Sequence, residues 1–116
     1  MLGNYVYHSK SAKYGQVLNW PGGGLAALIQ PGRWVCVEQR VRLNAPGRED
    51  GVLQAWVDGR LVLDRKDLRL RDAPDIHVEE AWMNIFHGGT GVPPVDLHTY
   101  IDQVVIARRY IGPISP

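Results

Sequence analysis

The sequence predicts an all-β protein of antiparallel strands, and three observations carry that reading. Residues Arg33 to Leu43 alternate with a period of two, the repeat of a pleated strand with one buried face. An Asp58-Gly59 dipeptide stands between two apolar runs, where a tight hairpin needs residues that tolerate positive φ. Thirteen glycines and eight prolines cut the chain into short segments, and no long stretch carries a convincing 3.6-residue period.

Taken in order, Tyr5-Val6-Tyr7 reads as the first strand, its two tyrosines on one side. Gly22-Gly23-Gly24 follows a proline rather than a strand and precedes no Lys-Ser/Thr, so it reads as a loop and not as a phosphate cradle. In the strand Arg33–Leu43, Val35, Val37, Gln39, Val41 and Leu43 share one face. Trp34, Cys36, Glu38, Arg40 and Arg42 share the other, and Asn44-Ala45-Pro46-Gly47 ends the run. Val52 to Val57 and Arg60 to Asp64 are the arms of the hairpin around Asp58-Gly59. From Asp64 to Asp72, Leu68 and Leu70 alternate with Arg69 and Arg71, which suits a strand or extended loop better than a helix. His77 to His87 reads as another strand, ended by Gly88-Gly89, and Val92-Pro93-Pro94 as a rigid loop. Leu97 to Arg109 reads as the last long strand. Both of its sides are partly apolar, so it is expected in a sheet covered on both faces. Successive antiparallel strands imply a sandwich.

The length of 116 residues fits one domain, 1–116. Hydrophobic residues at 45% and charged residues at 22% are globular values and argue against disorder. Thirteen basic side chains against twelve acidic ones leave a formal charge of +1, which gives no electrostatic reason to expect nucleic acid or an anionic membrane as partner. The single cysteine, Cys36, precludes an internal disulfide and reads as a buried, inert residue. No apolar run is long enough to span a bilayer, and Met1-Leu2-Gly3-Asn4-Tyr5 lacks the charged start and apolar core of a signal peptide. A cytoplasmic location is the default expectation.

The runs Pro31-Gly32-Arg33-Trp34, Glu38-Gln39-Arg40-Val41-Arg42-Leu43-Asn44, Asp50-Gly51-Val52-Leu53, Trp56-Val57-Asp58-Gly59 and Asp67-Leu68-Arg69 form an ordered series. Phe86-His87-Gly88-Gly89-Thr90, Tyr100 to Ala107 and Tyr110-Ile111-Gly112-Pro113 continue it. The series resembles polysaccharide lyase family 14, which includes alginate and polyglucuronate lyases of β-jelly-roll fold. Trp-Val-Asp-Gly alone is common to many concanavalin A-like sandwiches; the ordered series is more specific. The resemblance implies a jelly-roll sandwich reduced in size, acting on an acidic polysaccharide or oligosaccharide without a cofactor. In that family a catalytically important lysine stands on strands upstream of a Tyr-x-Tyr strand. Here Tyr5-Val6-Tyr7 matches that strand, with four residues before it.

Cleaving a uronan by β-elimination requires a group that neutralises the C6 carboxylate, a base for the C5 proton and an acid for the departing oxygen. Tyr5 and Tyr7, followed by His8, Lys10 and Lys13, suit acid and base, since nearby cations lower a phenol's pKa. Against this stands the plain reading of tyrosines packing one face of an edge strand. Arg40 and Arg42 can bind a uronate carboxylate in a bidentate way, or form a solvated outer face with Glu38. His8 and Lys10, and by the resemblance Asn84 and His87 on the strand before Gly88-Gly89, are the remaining substrate-binding candidates, with a capped loop and a hydrogen-bonded surface histidine the plain reading of the last two. Trp20, Trp34, Trp56 and Trp82 read as core, with stacking on sugar rings the alternative. His77, His87, His98, Asp96 and Asp102 show no metal-ligand spacing. An enzyme, a glycan-binding module without turnover and a structural protein all remain open readings. The small core leads to the expectation of a homodimer in which one protomer completes the sandwich of another.

Overall fold

The computed structural model describes residues 2–11, 13–20, 29–85 and 87–114. Its strands are β1 (Gly3–Val6), β2 (Gln16–Asn19), β3 (Val37–Arg42), β4 (Gly51–Val57) and β5 (Arg60–Leu68), with no helix among the described residues. They form two antiparallel sheets, β1-β2 and β3-β4-β5. The all-β expectation holds. The protein is a small β-sandwich.

The Asp-Gly hairpin forms where the sequence places it. Asp58 and Gly59 join β4 to β5 with φ of 48° and 78°, the left-handed values that a type I′ turn imposes on both central residues. The strand starting at Arg60 runs on to Leu68, so the alternation after Asp64 is that of a strand. A bulge at Ala55/Trp56 shifts the register and brings Val62 as well as Leu63 into the core.

Alternation fixes what faces inward. Leu53, Ala55 and Val57 of β4 pack with Val62, Leu63 and Leu68 of β5 against Leu18 and Trp20, and Val6 lies over this cluster from the small sheet. A hydrogen-bonded chain of three side chains ties the layers together. Trp20 Nε1 donates to Asn4 Oδ1 at 2.7 Å, and Asn4 Nδ2 donates to Gln39 Oε1 at 2.6 Å. The buried indole thus keeps its polar atom satisfied.

Asn44, which the sequence marks only as a strand breaker, is fully buried and knits three segments. Its Nδ2 donates to the carbonyls of Ala45, Arg48 and Arg71 at 2.9, 3.0 and 2.9 Å. Its Oδ1 accepts the N–H groups of Leu70 and Arg71 at 2.7 and 2.9 Å. The loop after β3 is thereby clamped to the chain leaving β5.

Three expected strands differ in the structure. Arg33–Leu43 pairs only over Val37–Arg42, because β4 ends at Val57 opposite Val37 and offers no ladder to residues 33–36. There Asp58 substitutes for a strand partner: its N–H donates to Cys36 O and its Oδ1 accepts Cys36 N–H, both at 2.9 Å. His77–His87 and Leu97–Arg109 form no ladder among the described residues, and the described side chains of both spans are exposed rather than covered. Period-two patterning favours extended backbone, but a strand exists only beside a neighbour that takes its hydrogen bonds. Gly22-Gly23-Gly24 lies outside the described residues.

Candidate functional site

On β1, Asn4 and Val6 point into the sandwich, so Tyr5 points away from the larger sheet. Tyr7, just past the strand, returns to the same side: the two rings meet edge to face with centroids 5.2 Å apart. Tyr5 is 55% exposed and Tyr7 67%, so both hydroxyls are open to a solute. Gly15 on the return toward β2 lies under the Tyr5 ring; a Cβ there would come within 2.9 Å of the ring's Cε1. The small sheet therefore holds the first ring by close backbone approach.

The Tyr7 phenol is held above its ordinary value of 10.0. The first cause is its hydrogen bond with Tyr5, and the second is the repulsion a Tyr5 phenolate would exert on a second one. At neutral pH Tyr7 is a proton donor. Among the described residues no cation offsets this rise at Tyr7.

The loop after Tyr7 supplies the neighbouring polar groups. His8 Nε2 meets Gln16 Oε1 at 3.0 Å, and its Nδ1 accepts the Lys10 N–H at 3.2 Å. Ser11 Oγ donates to His8 O at 2.6 Å and accepts His8 N–H at 2.9 Å, closing the loop on itself. Lys10 Nζ is ion-paired with Glu49. Tyr7 and His8 line a shallow depression with Arg71 and Asp72. Arg71 is the cation at this end of the molecule that sequence reasoning passed over. Its guanidinium donates to the carbonyls of Asn44, Pro74 and Ile76, at 2.8, 3.2 and 2.9 Å. Only the Asn44 clamp places it there, and nothing local in the sequence announces that.

Arg40 and Arg42 stand elsewhere. They alternate with Gln39 and Val41, opposite Gln54 and Val52 of β4, on the face of the larger sheet turned away from Leu18 and Trp20. Arg40 Nη1 donates to Gln54 Oε1 at 3.1 Å, Gln54 Nε2 donates to Asp64 Oδ1 at 2.8 Å, and Lys66 Nζ lies 2.9 Å from Asp64. This ladder crosses β3, β4 and β5. It holds Asp64 below the usual carboxylate range, chiefly through Lys66 and then through Gln54. Arg42 donates to the Asp50 carbonyl at 2.9 Å. Two packed sheets, about 10 Å apart, separate these arginines from Tyr5 and Tyr7. Asn84 and His87 lie exposed on the segment that follows, joined to neither group.

A third feature is a cleft of about 510 Å³ between residues 34–38 and the later chain at 102–105 and 111–114. Glu38 anchors one wall by accepting the N–H groups of Ile111 and Gly112, each at 2.9 Å. Trp34 stands exposed on this cleft and Trp82 exposed elsewhere, whereas Trp20 is core as expected. Trp56 is half-buried and packs on Tyr110 at 5.0 Å between centroids. Cys36 is half-buried rather than buried, its thiol pushed up by desolvation and by the charges of Asp58 and Glu38. No group of three or more potential metal ligands occurs among the described residues. No helix among them is long and apolar enough to cross a membrane.

The chain matches the family described as Polysaccharide lyase 14 over residues 12–104. No curated protein and no solved structure matches it.

Proposed function

The chain belongs to the polysaccharide lyase 14 family, and from that premise we propose that it acts on an acidic polysaccharide of the alginate or glucuronan type by β-elimination at the Tyr5–Tyr7 pair. The observation that carries the reading is the pair itself. Two exposed phenols sit in edge contact, one of them kept protonated by the other. Tyr5, the other phenol of the pair, takes the base's role and removes the C5 proton of the uronate. The electron pair forms the C4–C5 double bond as the C4–O bond breaks, and Tyr7 gives its proton to the departing oxygen. His8 and Lys10, with Arg71 beside them, are the groups to meet the uronate carboxylate. Such charge-assisted contacts are strongest where water is excluded. The concanavalin A-like jelly-roll lineage is part of the same proposal, supported by the Asp-Gly hairpin within its Trp-Val-Asp-Gly motif.

The test is turnover of alginate and polyglucuronate, followed by the ultraviolet absorbance of the unsaturated uronate product. Turnover lost in Tyr5→Phe and in Tyr7→Phe supports the assignment; turnover retained in both overturns it.

The position of Arg40 and Arg42 favours a second reading, a glycan-binding module without turnover. The arginines suited to grip a carboxylate are a sandwich's thickness away from the phenols. Retention on an alginate matrix with no absorbance change decides for that reading, and loss of retention in Arg40→Ala with Arg42→Ala would locate it on the far face. Asn84 and His87 belong to the same proposal as peripheral contacts. The working unit proposed here is a homodimer, because Val78, Trp82, Met83, Ile85, Leu97, Tyr100, Val104 and Ile106 are all largely exposed. Such a surface exceeds what isolated soluble chains ordinarily leave in water.

A further inference from the structure

The outer edge of β3 and the segment 79–85 are complementary in three independent respects. The first is hydrogen bonding. β3 is an edge strand, since the order of its sheet is β3-β4-β5, and among the described residues no strand takes its outer N–H and C=O groups. Residues 79–85 have strand patterning and likewise no ladder. The second is the apolar face. On β3, Val37 and Val41 point to the core side yet stay 47% and 51% exposed, Val41 beside the unpaired edge and Val37 at the mouth of the cleft that residues 34–38 share with the later chain. Ala81, Met83 and Ile85 form an apolar row of the same period. The third is charge. The other face of β3 carries Glu38, Arg40 and Arg42, and the other face of 79–85 carries Glu80, Trp82 and Asn84.

One antiparallel register satisfies all three together. With Ala81 opposite Val41, Ile85 meets Val37 and Met83 meets Gln39 on the core side. On the outer side Glu80 meets Arg42 and Trp82 meets Arg40, an ion pair and a cation–π contact. Shifting by one residue sets Glu80 and Trp82 among the valines and reverses every match.

We infer that β3 is extended in trans: residues 79–85 of a second copy add to its open edge, and the exchange is reciprocal across a two-fold axis. This rests on the dimer reading above and is independent of any turnover. The occupant is a second copy because the surplus strand and the open edge belong to the same sequence, so a two-fold satisfies both at once. The size agrees. Trp82 alone is 77% exposed and stands to bury on the order of 150 Å². Two symmetric ribbons with their valines, Met83 and Ile85 reach on the order of the 1,000 Å² that a specific interface needs.

Disulfide trapping tests the pairing and its direction. In a Cys36→Ser background, Val41→Cys combined with Ala81→Cys places two thiols at directly opposed positions, within the spacing a disulfide accepts. Mild oxidation is expected to give a covalent two-chain species on a non-reducing gel, absent when either cysteine is present alone. An intramolecular disulfide that runs as one chain would overturn exchange between copies, and absence of any disulfide would overturn the pairing. Charge reversal supplies the second readout, at exposed residues where folding is not at stake. Arg42→Glu and Glu80→Arg singly should each weaken the dimer by roughly tenfold or more in sedimentation, through like charges brought together twice per dimer. The double variant should recover the original Kd. A dimer indifferent to both reversals, or a monomer throughout the micromolar range, refutes the inference whatever the outcome of the lyase assay.

Discussion

Asn44→Ala is the substitution that best tests how this sandwich is held together. The wild-type side chain is fully buried and makes five hydrogen bonds, three donated and two accepted. Alanine removes them all and leaves the Leu70 and Arg71 N–H groups without an acceptor in a half-buried setting. Each orphaned donor costs about 1–3 kcal/mol, which gives about 2–6 kcal/mol for the two. The three carbonyls add less, because Arg48 is exposed and Ala45 and Arg71 are only half-buried. A loss of at least about 2–6 kcal/mol is a large share of the roughly 5–15 kcal/mol that stabilises a small domain. Asn44→Asp is no rescue: it keeps an acceptor for Leu70 and Arg71 but sets an oxygen against three carbonyls. Urea unfolding followed by the fluorescence of buried Trp20 measures the effect as a shift of the midpoint at unchanged slope. Amide exchange at Leu70 and Arg71 should accelerate in parallel, since these protons lose their acceptor directly. A cost below about 1 kcal/mol, or unchanged exchange at both amides, would refute the clamp.

Three further outcomes follow from the same geometry. Gly59→Ala should destabilise the hairpin by about 1–2 kcal/mol, because φ there is 78° and the added Cβ would stand 3.2 Å from Pro113 Cδ; thermal unfolding reads it. Tyr5→Phe should bring the Tyr7 titration down toward its ordinary value, since Tyr5 is the leading cause of its elevation; ultraviolet titration of tyrosinate measures the shift. Asp64 and Asp67 titrate below their ordinary 3.8, Asp64 through Lys66 and Gln54, Asp67 through Arg65. Between folded and unfolded pKa the unfolded chain binds more protons, so their contribution is present above 3.8 and is lost as pH falls through the lower folded values. Asp64→Asn with Asp67→Asn should flatten stability in that acidic window, as measured by urea midpoints across pH.

What the sequence determined by itself is what short-range chemistry dictates. Asp58-Gly59 makes its hairpin because both residues tolerate positive φ, and the flanking alternation supplies arms whose ladder follows from the turn. Period two puts Leu53, Ala55 and Val57 on one side of β4, but Val52 and Gln54 on the other side are buried as well, so which face meets the small sheet was left to packing. The Tyr5–Tyr7 contact is local like the hairpin, two residues apart on one side of one strand.

Partnership between segments was not legible. His77–His87 and Leu97–Arg109 carry the same alternation as β4, yet alternation is a property of one segment and a ladder is a property of two. Cys36 and Trp34 stay outside β3 only because β4 turns away at Asp58. Asn44 gives no sign in the sequence of its partners 26 and 27 residues away, and Arg71 reaches the tyrosine end only through that clamp. The separation of Arg40 and Arg42 from Tyr5 and Tyr7 depends on which face of each sheet the other sheet covers. The packing of Trp20 and Leu18 against β4 and β5 decides that, because burying an apolar face against another is a choice between surfaces that no single strand contains.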